Sequence, residues 1–313
     1  RNVAVGFGAI YNADAEGNNT AIGYNSLGGS VGGGEFNVAV GNFTLDALTS
    51  ADGNVAVGYQ AGTAITTGSV VAIGHRAGDG LTTGGGAVHI GYDAGRVYDT
   101  ELHNIGIGNY SLGASIAGGE YNLAIGSFAL DALSSGNYNV ALGYQSGTDL
   151  GTGTGNTALG AQSAKELTSG DGNTLLGYRA GFDDAITGSE NIGVGAFALY
   201  RLTSGASNTV VGYDAATLIT TGGNNLCLGM DAGSAVSPSG AISTASNQVC
   251  LGNNNISALF CADTSISSSD KRDKTDVENF NVGLEWIEKL QPVTYRWDRR
   301  TWYGDEENPF GTP

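Results

Sequence analysis

Asn37-Val38-Ala39-Val40-Gly41 and Asn54-Val55-Ala56-Val57-Gly58 are two copies of one phrase that recurs along most of the chain. Its general form is Asn, a variable residue, a small residue, an aliphatic and Gly. The closing glycines fall at 6, 23, 41, 58, 74, 91, 108, 126, 143, 160, 177, 195, 212, 229 and 252. All but the last gap are 16 to 18 residues, and the last is 23. A unit this short cannot enclose an apolar core by itself, so the copies must stack on one another as a solenoid. The expected fold is all-β: a parallel β-solenoid or β-roll of about fifteen coils, one phrase per coil.

The residue before each glycine is Val, Ile or Leu, and the second position of the phrase is mostly β-branched or Leu. By strand alternation these two positions share one face, and the small residue between them points the other way. β-Branching on that face favours a strand over a helix. The reading places the aliphatic pair inward and the small residue outward. Seven residues past the glycine another aliphatic recurs: Leu48, Ile65, Leu81, Leu133, Leu150, Leu167, Leu202, Ile219, Val236. Turn segments such as Thr66-Thr67-Gly68 close the coil, giving one firm strand, one weaker strand and two turns. Fifteen coils at one strand spacing each make a rod of about 70 Å. A core this thin, with small residues outside, favours several chains packed side by side, and a homotrimer is expected.

Tyr follows the phrase glycine at 24, 59, 92, 144, 178 and 213. Such a column suits chain–chain packing better than sugar stacking, though Tyr offers a face and a polar tip for either.

Composition divides the chain. Gly contributes 53 of 313 residues, and all three Trp residues and three of four Pro lie after residue 280. Residues 1–268 carry 6 basic and 20 acidic side chains, a net −14 of the total −17. That balance argues against nucleic acid, which needs a basic footprint, and against anionic membrane surfaces. No apolar run reaches membrane-spanning length, so no membrane insertion is expected. Cys227, Cys250 and Cys261 are too few for a disulfide framework; the first two take the small position of their phrases as apolar filler. The chain begins mid-phrase, which implies an upstream region.

Candidate chemistry within the repeats is sparse. His75, His89 and His103 fall at three different phrase positions and should not converge, so neither metal nor cofactor is expected. Asp183-Asp184 is an adjacent carboxylate pair whose members should point apart, which disfavours a glycosidase. Gly32-Gly33-Gly34 and Gly84-Gly85-Gly86 lack the Lys-Ser/Thr of a phosphate loop.

After residue 262 the pattern changes. A Ser-rich linker, 263–269, leads into Ser269-Asp270-Lys271-Arg272-Asp273-Lys274, then a helix-like stretch with Trp286, Ile287 and Leu290 on one side. Pro292 stops it, and Val293, Tyr295 and Trp297 alternate as in a strand, so 270–313 reads as the start of a small α/β domain. The order Ser-Asp-x-Arg-x-Lys, a helix ending Leu290-Gln-Pro-Val293 and then Thr294-Tyr-x-Trp297 resembles the self-cleaving intramolecular chaperone of phage tail fibres and endosialidase-type tailspikes. The resemblance covers about 45 residues, the opening part of that family's domain. It implies a trimeric β-structured fibre over 1–262 and release of the chaperone by autoproteolysis between Ser268 and Ser269. Ser269 would be the nucleophile and Lys274 its base, which requires a lysine whose pKa is lowered by burial or neighbours. It further implies a virion tail location, tail proteins bound through the upstream region, and a host surface glycan or protein as target. The repeats also resemble the heads of trimeric autotransporter adhesins; on that alternative the chain is a bacterial surface adhesin without self-cleavage.

Overall fold

The computed structural model describes residues 1–258, except 12–16, 30–33, 84, 97–101, 115–117 and 184. Fifteen short strands, from β1 (Val3–Val5) to β15 (Val249–Leu251), stack in chain order into one parallel sheet. Each coil supplies one strand of three or four residues, and register never slips. Val38-Ala39-Val40 of β3 (Val38–Val40), for example, faces Val55-Ala56-Val57 of β4 (Val55–Val57) residue for residue. The solenoid of about fifteen coils is as expected. The α/β segment, the linker and the last residues assigned to the shaft lie outside the described residues.

The orientation of the strands corrects the sequence reading. The small middle residue points inward: Ala21, Ala39, Ala56, Ala72, Ala124 and Ala141 are completely or almost completely buried. The aliphatic residues on either side face outward and remain partly exposed along the whole sheet. The coil interior is narrow, and a methyl is what fits against the leucines from its other side. Those leucines come from two positions. The residue seven past the glycine is buried wherever Leu48, Ile65, Leu81, Leu133, Leu150, Leu167, Leu202 and Ile219 occupy it. A second set, four past the glycine, escaped notice: Leu27, Leu45, Leu112, Leu130 and Leu199. Val236 departs from the pattern. It is 53% exposed, because the longer coil before β15 brings Ile242, 3% exposed, into its place.

Among the described residues the weaker second strand of the coil is not formed, apart from one isolated bridge, Leu167 to Ile186. In its place the chain bends through left-handed residues. The residues two and four past the glycine have positive φ in the first fourteen coils, as Phe43 (57°) and Leu45 (49°) illustrate. A third such residue usually stands just before the phrase, as at Tyr121 (58°) and Tyr138 (57°). The left-handed region disfavours L-residues by roughly 1 kcal/mol each. Hydrogen bonds along the rod offset that strain: the Phe43 N–H donates to Tyr24 O at 2.8 Å, and Leu45 N–H to Ala61 O at 3.1 Å. The ladder therefore continues round the corners.

Two phrase residues are explained by stacking. The phrase glycines from Gly6 to Gly212 have φ near +137°, and a Cβ on Gly41 would sit 2.3 Å from the Gly58 carbonyl oxygen of the next coil. Only glycine permits that approach. The buried asparagines form a ladder of their own. Asn139 Oδ1 accepts from the backbone N–H of Asn156 (2.9 Å) and from its Nδ2 (3.1 Å), while Asn156 Nδ2 also donates to Gly170 O at 2.8 Å. Each amide thus ties together a phrase, the coil before it and the turn of the coil after it, satisfying polar groups in a dry interior.

Candidate assembly face and cleavage segment

The outward face of the sheet is a chemically uniform surface running through all fifteen strands. Its two columns run Val3, Thr20, Val38, Val55 to Val249 and Val5, Ile22, Val40, Val57 to Leu251. Every outward position is Val, Ile, Leu or Thr, and none is charged. This occurs within residues 1–268, whose net charge is −14. At roughly 50 Å² of exposed area per outward side chain, the face amounts to on the order of 1,500 Å², ample for a stable interface. Isolated exposed aliphatics are ordinary, but a continuous uncharged stripe of this size marks an interaction surface.

Beside it runs an aromatic column. Phe7, Tyr24, Phe43, Tyr59, His75, Tyr92, Tyr110, Phe128 and Tyr144 follow one another with ring centroids 4.9 to 6.3 Å apart. The rings come from either one or two residues past the glycine, so the sequence reading, which followed Tyr at the first of these positions, showed only part of the column. Many rings stack face to face along the rod and turn their edges outward; Tyr110 and Phe128 are 8° from parallel. The column resumes with Tyr178, Phe197 and Tyr213.

Charges gather in a few places. Asp93, buried, lies 3.3 Å from Arg96, 3.9 Å from Arg76 and 4.0 Å from His75, and Arg76 also holds Asp79 at 3.0 Å. Further along, Lys165 pairs with Glu166 at 2.5 Å. Burial, reinforced by a hydrogen bond to Glu166, pushes the Asp149 carboxyl up to about 6, while Lys165 holds Glu166 below its ordinary range.

The three histidines stand in different surroundings. His75 is a rung of the aromatic column, His103 stacks on Tyr121 at 5.0 Å, and His89 is buried in the coil interior. Burial holds the His89 imidazole down at about 4, neutral at ordinary pH. Cys227 of β14 (Leu226–Leu228) and Cys250 of β15 are register partners inside the coil, where small filler was expected. Burial pushes the Cys227 thiol up to about 11. Cys250 is penalised by burial too, yet hydrogen bonds from Ser237, Ser239 and the Gly233 N–H bring its pKa below the ordinary thiol value. Among the described residues no group of three potential metal ligands gathers. Of the candidate carboxylates, Asp183 lies 3.7 Å from Arg201, and Asp184 is outside the described residues. Ser269, Lys274 and the Ser268–Ser269 bond are also outside them.

Residues 269–311 match the family model described as the chaperone of endosialidase. The match opens at Ser269, the residue for which the resemblance implies the role of nucleophile. The C-terminal segment is thus of the endosialidase-chaperone type, and the solenoid before it fits a repeat protein of the tail-fibre or tailspike kind. No curated protein and no solved structure matches the chain.

Proposed function

We propose that this chain is the shaft of a phage tail fibre or tailspike, assembled as a homotrimer and carrying a C-terminal chaperone segment that is released by self-cleavage. The observation that carries the assembly is the uncharged aliphatic face on an acidic rod. Its features repeat at the coil spacing over fifteen strands. A surface with the same period over the same length is another copy of this chain, parallel and in register. A globular partner would cover only a few coils. Three copies turning this face toward a common axis would bury all of it.

The chaperone match supports the same reading from the other end of the chain. In the cleavage we propose, Ser269 Oγ adds to the carbonyl carbon of Ser268 as its proton passes to the Lys274 amine. The Ser268–Ser269 C–N bond breaks, the departing nitrogen takes up the proton, and Ser268 is left esterified to Ser269 Oγ. Water then hydrolyses that ester to a Ser268 carboxylate and a free hydroxyl. The chain performs this once and is not a turnover enzyme. The assembled shaft reaches from the virion tail toward a glycan or protein on the host surface.

Intact-mass measurement of the chain with its natural flanking sequence, beside Lys274→Ala, tests the cleavage. A break after Ser268 in the wild type alone is the expected result. An identical pattern in both proteins removes Lys274 from the mechanism, and an uncut wild type removes the self-cleavage.

A further inference from the structure

A second, shorter aromatic column runs along the corner that leads into the strands. The residue just before the phrase asparagine is His103, Tyr121 and Tyr138 in three successive coils, with ring centroids 5.0 and 5.2 Å apart and planes 17° and 7° from parallel. The column stops at Tyr138, because the next two coils carry Gly155 and Gly172 at this position and the third carries Glu190. The coils themselves continue in step. The Gly155 N–H donates to Asn137 O and the Gly172 N–H to Thr154 O, both at 2.9 Å, and the Glu190 N–H to Asp171 O at 2.8 Å. The rings lean toward the preceding coil, since a Cβ on Gly86 would lie 2.6 Å from His103 Nδ1. Tyr138 thus covers Tyr121 and leaves the space over the two glycines open: both are exposed, and a Cβ added to either would meet nothing within 4 Å. Tyr121, with a ring on each face, is 47% exposed, whereas Tyr138, with a ring on one face, is 62% exposed.

We infer that the shelf formed by Gly155 and Gly172 is a binding site for one neutral pyranose ring of a glycan, stacked on the uncovered face of Tyr138. A pyranose has a patch of C–H groups on its face and hydroxyls around its rim. That patch stacks on an aromatic ring at about 4.5–5 Å, close to the spacing of this column, so the sugar takes the place of the ring that the tenth coil lacks. Tyr138 and Glu190 stand three coil repeats apart, about 14 Å, which leaves depth for the ring and for the hydroxyls beyond it. Among the described residues Tyr138 stacks only on Tyr121.

Partners for those hydroxyls border the shelf and are held in place. Thr154 and Asp171 immediately precede the two glycines. The Thr154 N–H donates to Asp171 Oδ1 at 2.7 Å, and the Asn137 N–H to Thr154 Oγ1 at 3.4 Å. These bonds leave the other Asp171 oxygen as an acceptor and the Thr154 hydroxyl as a donor. At the far end Glu190 Oε2 accepts from Ser207 Oγ at 3.1 Å, which steadies a second carboxylate. Hydrogen bonds from sugar hydroxyls to carboxylates are charge-assisted and hence among the stronger ones. The lining holds two carboxylates and no basic residue, so an acidic sugar is repelled and a neutral one is selected.

This inference rests on the adhesive role proposed above and gives it a place. The test is saturation-transfer NMR on the full chain with short oligosaccharides of glucose, galactose, mannose and N-acetylglucosamine, and with a galacturonate oligosaccharide as the acidic control. Saturable binding of at least one neutral probe, and none of the galacturonate, is expected. Gly155→Tyr extends the column by one ring, at a position where Tyr121 and Tyr138 already hold positive φ. It should weaken binding at least tenfold while leaving the melting temperature and assembled mass unchanged. Tyr138→Asn removes the platform and installs the residue that stands here with positive φ at Asn18, Asn224 and Asn247, and should weaken binding as much. Wild-type affinity in either variant overturns the shelf while leaving an adhesive role standing elsewhere on the rod. A lower assembled mass for Tyr138→Asn also overturns it, since Tyr138 is then a contact between copies of the chain. So does a wild type that binds no neutral probe or binds galacturonate equally well. Attachment of the labelled wild-type chain to bacterial cells, read separately, then decides the adhesive role.

Discussion

Exchanging Ile107 for Asp and, separately, Ala124 for Val distinguishes the two faces of the sheet. Ile107 ends β7 (Ile105–Ile107) on the outward face, and Ala124 is the buried centre of β8 (Leu123–Ile125). Within a single chain Ile107→Asp loses cross-strand contacts with Ile90 and Ile125, about 1–2 kcal/mol. In an assembly it also forfeits about 50 Å² of buried apolar area, about 1 kcal/mol per chain at 25 cal/mol/Å². More importantly, it places an unpaired carboxylate in every copy against an apolar partner, several kcal/mol each. The expected result is a chain that keeps its sheet signal but sediments as a monomer. Ala124→Val forces two extra methyl groups into a fully buried stack, a destabilisation of about 1–3 kcal/mol whatever the oligomeric state. It should lower the melting temperature before it changes the mass. Sedimentation equilibrium and circular dichroism melts on both variants read these effects. An Ile107→Asp protein with wild-type mass would refute the assembly face, and an Ala124→Val protein indistinguishable from wild type would refute the inward orientation of the small residue.

Gly143→Ala should be far worse than an ordinary helix or strand substitution, because its Cβ would meet the Gly160 carbonyl oxygen at 2.6 Å with φ near +137°; loss of soluble expression, or a melting point lowered by many degrees, is the readout. Asn156→Leu keeps volume but strands the Gly170 carbonyl and the Asn173 N–H donors that the Asn156 amide satisfies, and should cost about 1–3 kcal/mol in a denaturant titration. Asp149→Asn should raise the melting temperature at pH 8 and leave it unchanged at pH 4. Because the folded pKa is raised to about 6, the ionised carboxyl disfavours the fold above that pH, and the penalty fades as pH falls through 6 toward its unfolded value.

The repeat made the solenoid legible before any coordinates, because phrase length and spacing admit few other folds. The direction of the strand was misread for a physical reason. Alternation says which residues share a face, but not which face is inside. The usual rule that the larger aliphatics go inward holds for a coil wide enough to hold them. Here Leu45 and Leu48 reach across from the far wall, and only Ala56 and Ala39 fit between. The left-handed corners were hidden because Phe43, Leu45, Tyr121 and Gln162 occupy them instead of Gly or Asn. Their φ is imposed by cross-coil hydrogen bonding, not by local preference. The chaperone-type segment was legible from motif order alone, and the same stretch matches the chaperone family from Ser269 onward.

The narrow interior obeys a size rule that two exceptions make visible. His89 stands in the inward position where most coils have Ala, and Leu175 does the same five coils later. Around His89, the residue four past the next phrase glycine is Gly95 and the inward residue of the following coil is Gly106. A Cβ at either would lie 2.3 or 3.1 Å from the imidazole. Around Leu175 the corresponding positions are Gly181 and Gly193, with Cβ distances of 2.7 and 3.0 Å to its methyls. The same two glycines make room for a large inward side chain in both places, so volume is conserved locally and not coil by coil. His89→Leu should therefore fold, since Leu175 shows that the space admits leucine. It should also remove a pH dependence. With its folded pKa down at about 4 and an unfolded value near 6.5, His89 favours folding fully above 6.5 and progressively less as pH falls toward 4, a difference of about 3 kcal/mol across that window. Melting curves from pH 7 to pH 4 should converge on a flatter line for His89→Leu than for the wild type, while Gly106→Ala in the wild-type background should be destabilising and in His89→Ala should be tolerated. If Gly106→Ala is equally damaging in both backgrounds, the glycine serves the backbone and the volume rule is wrong.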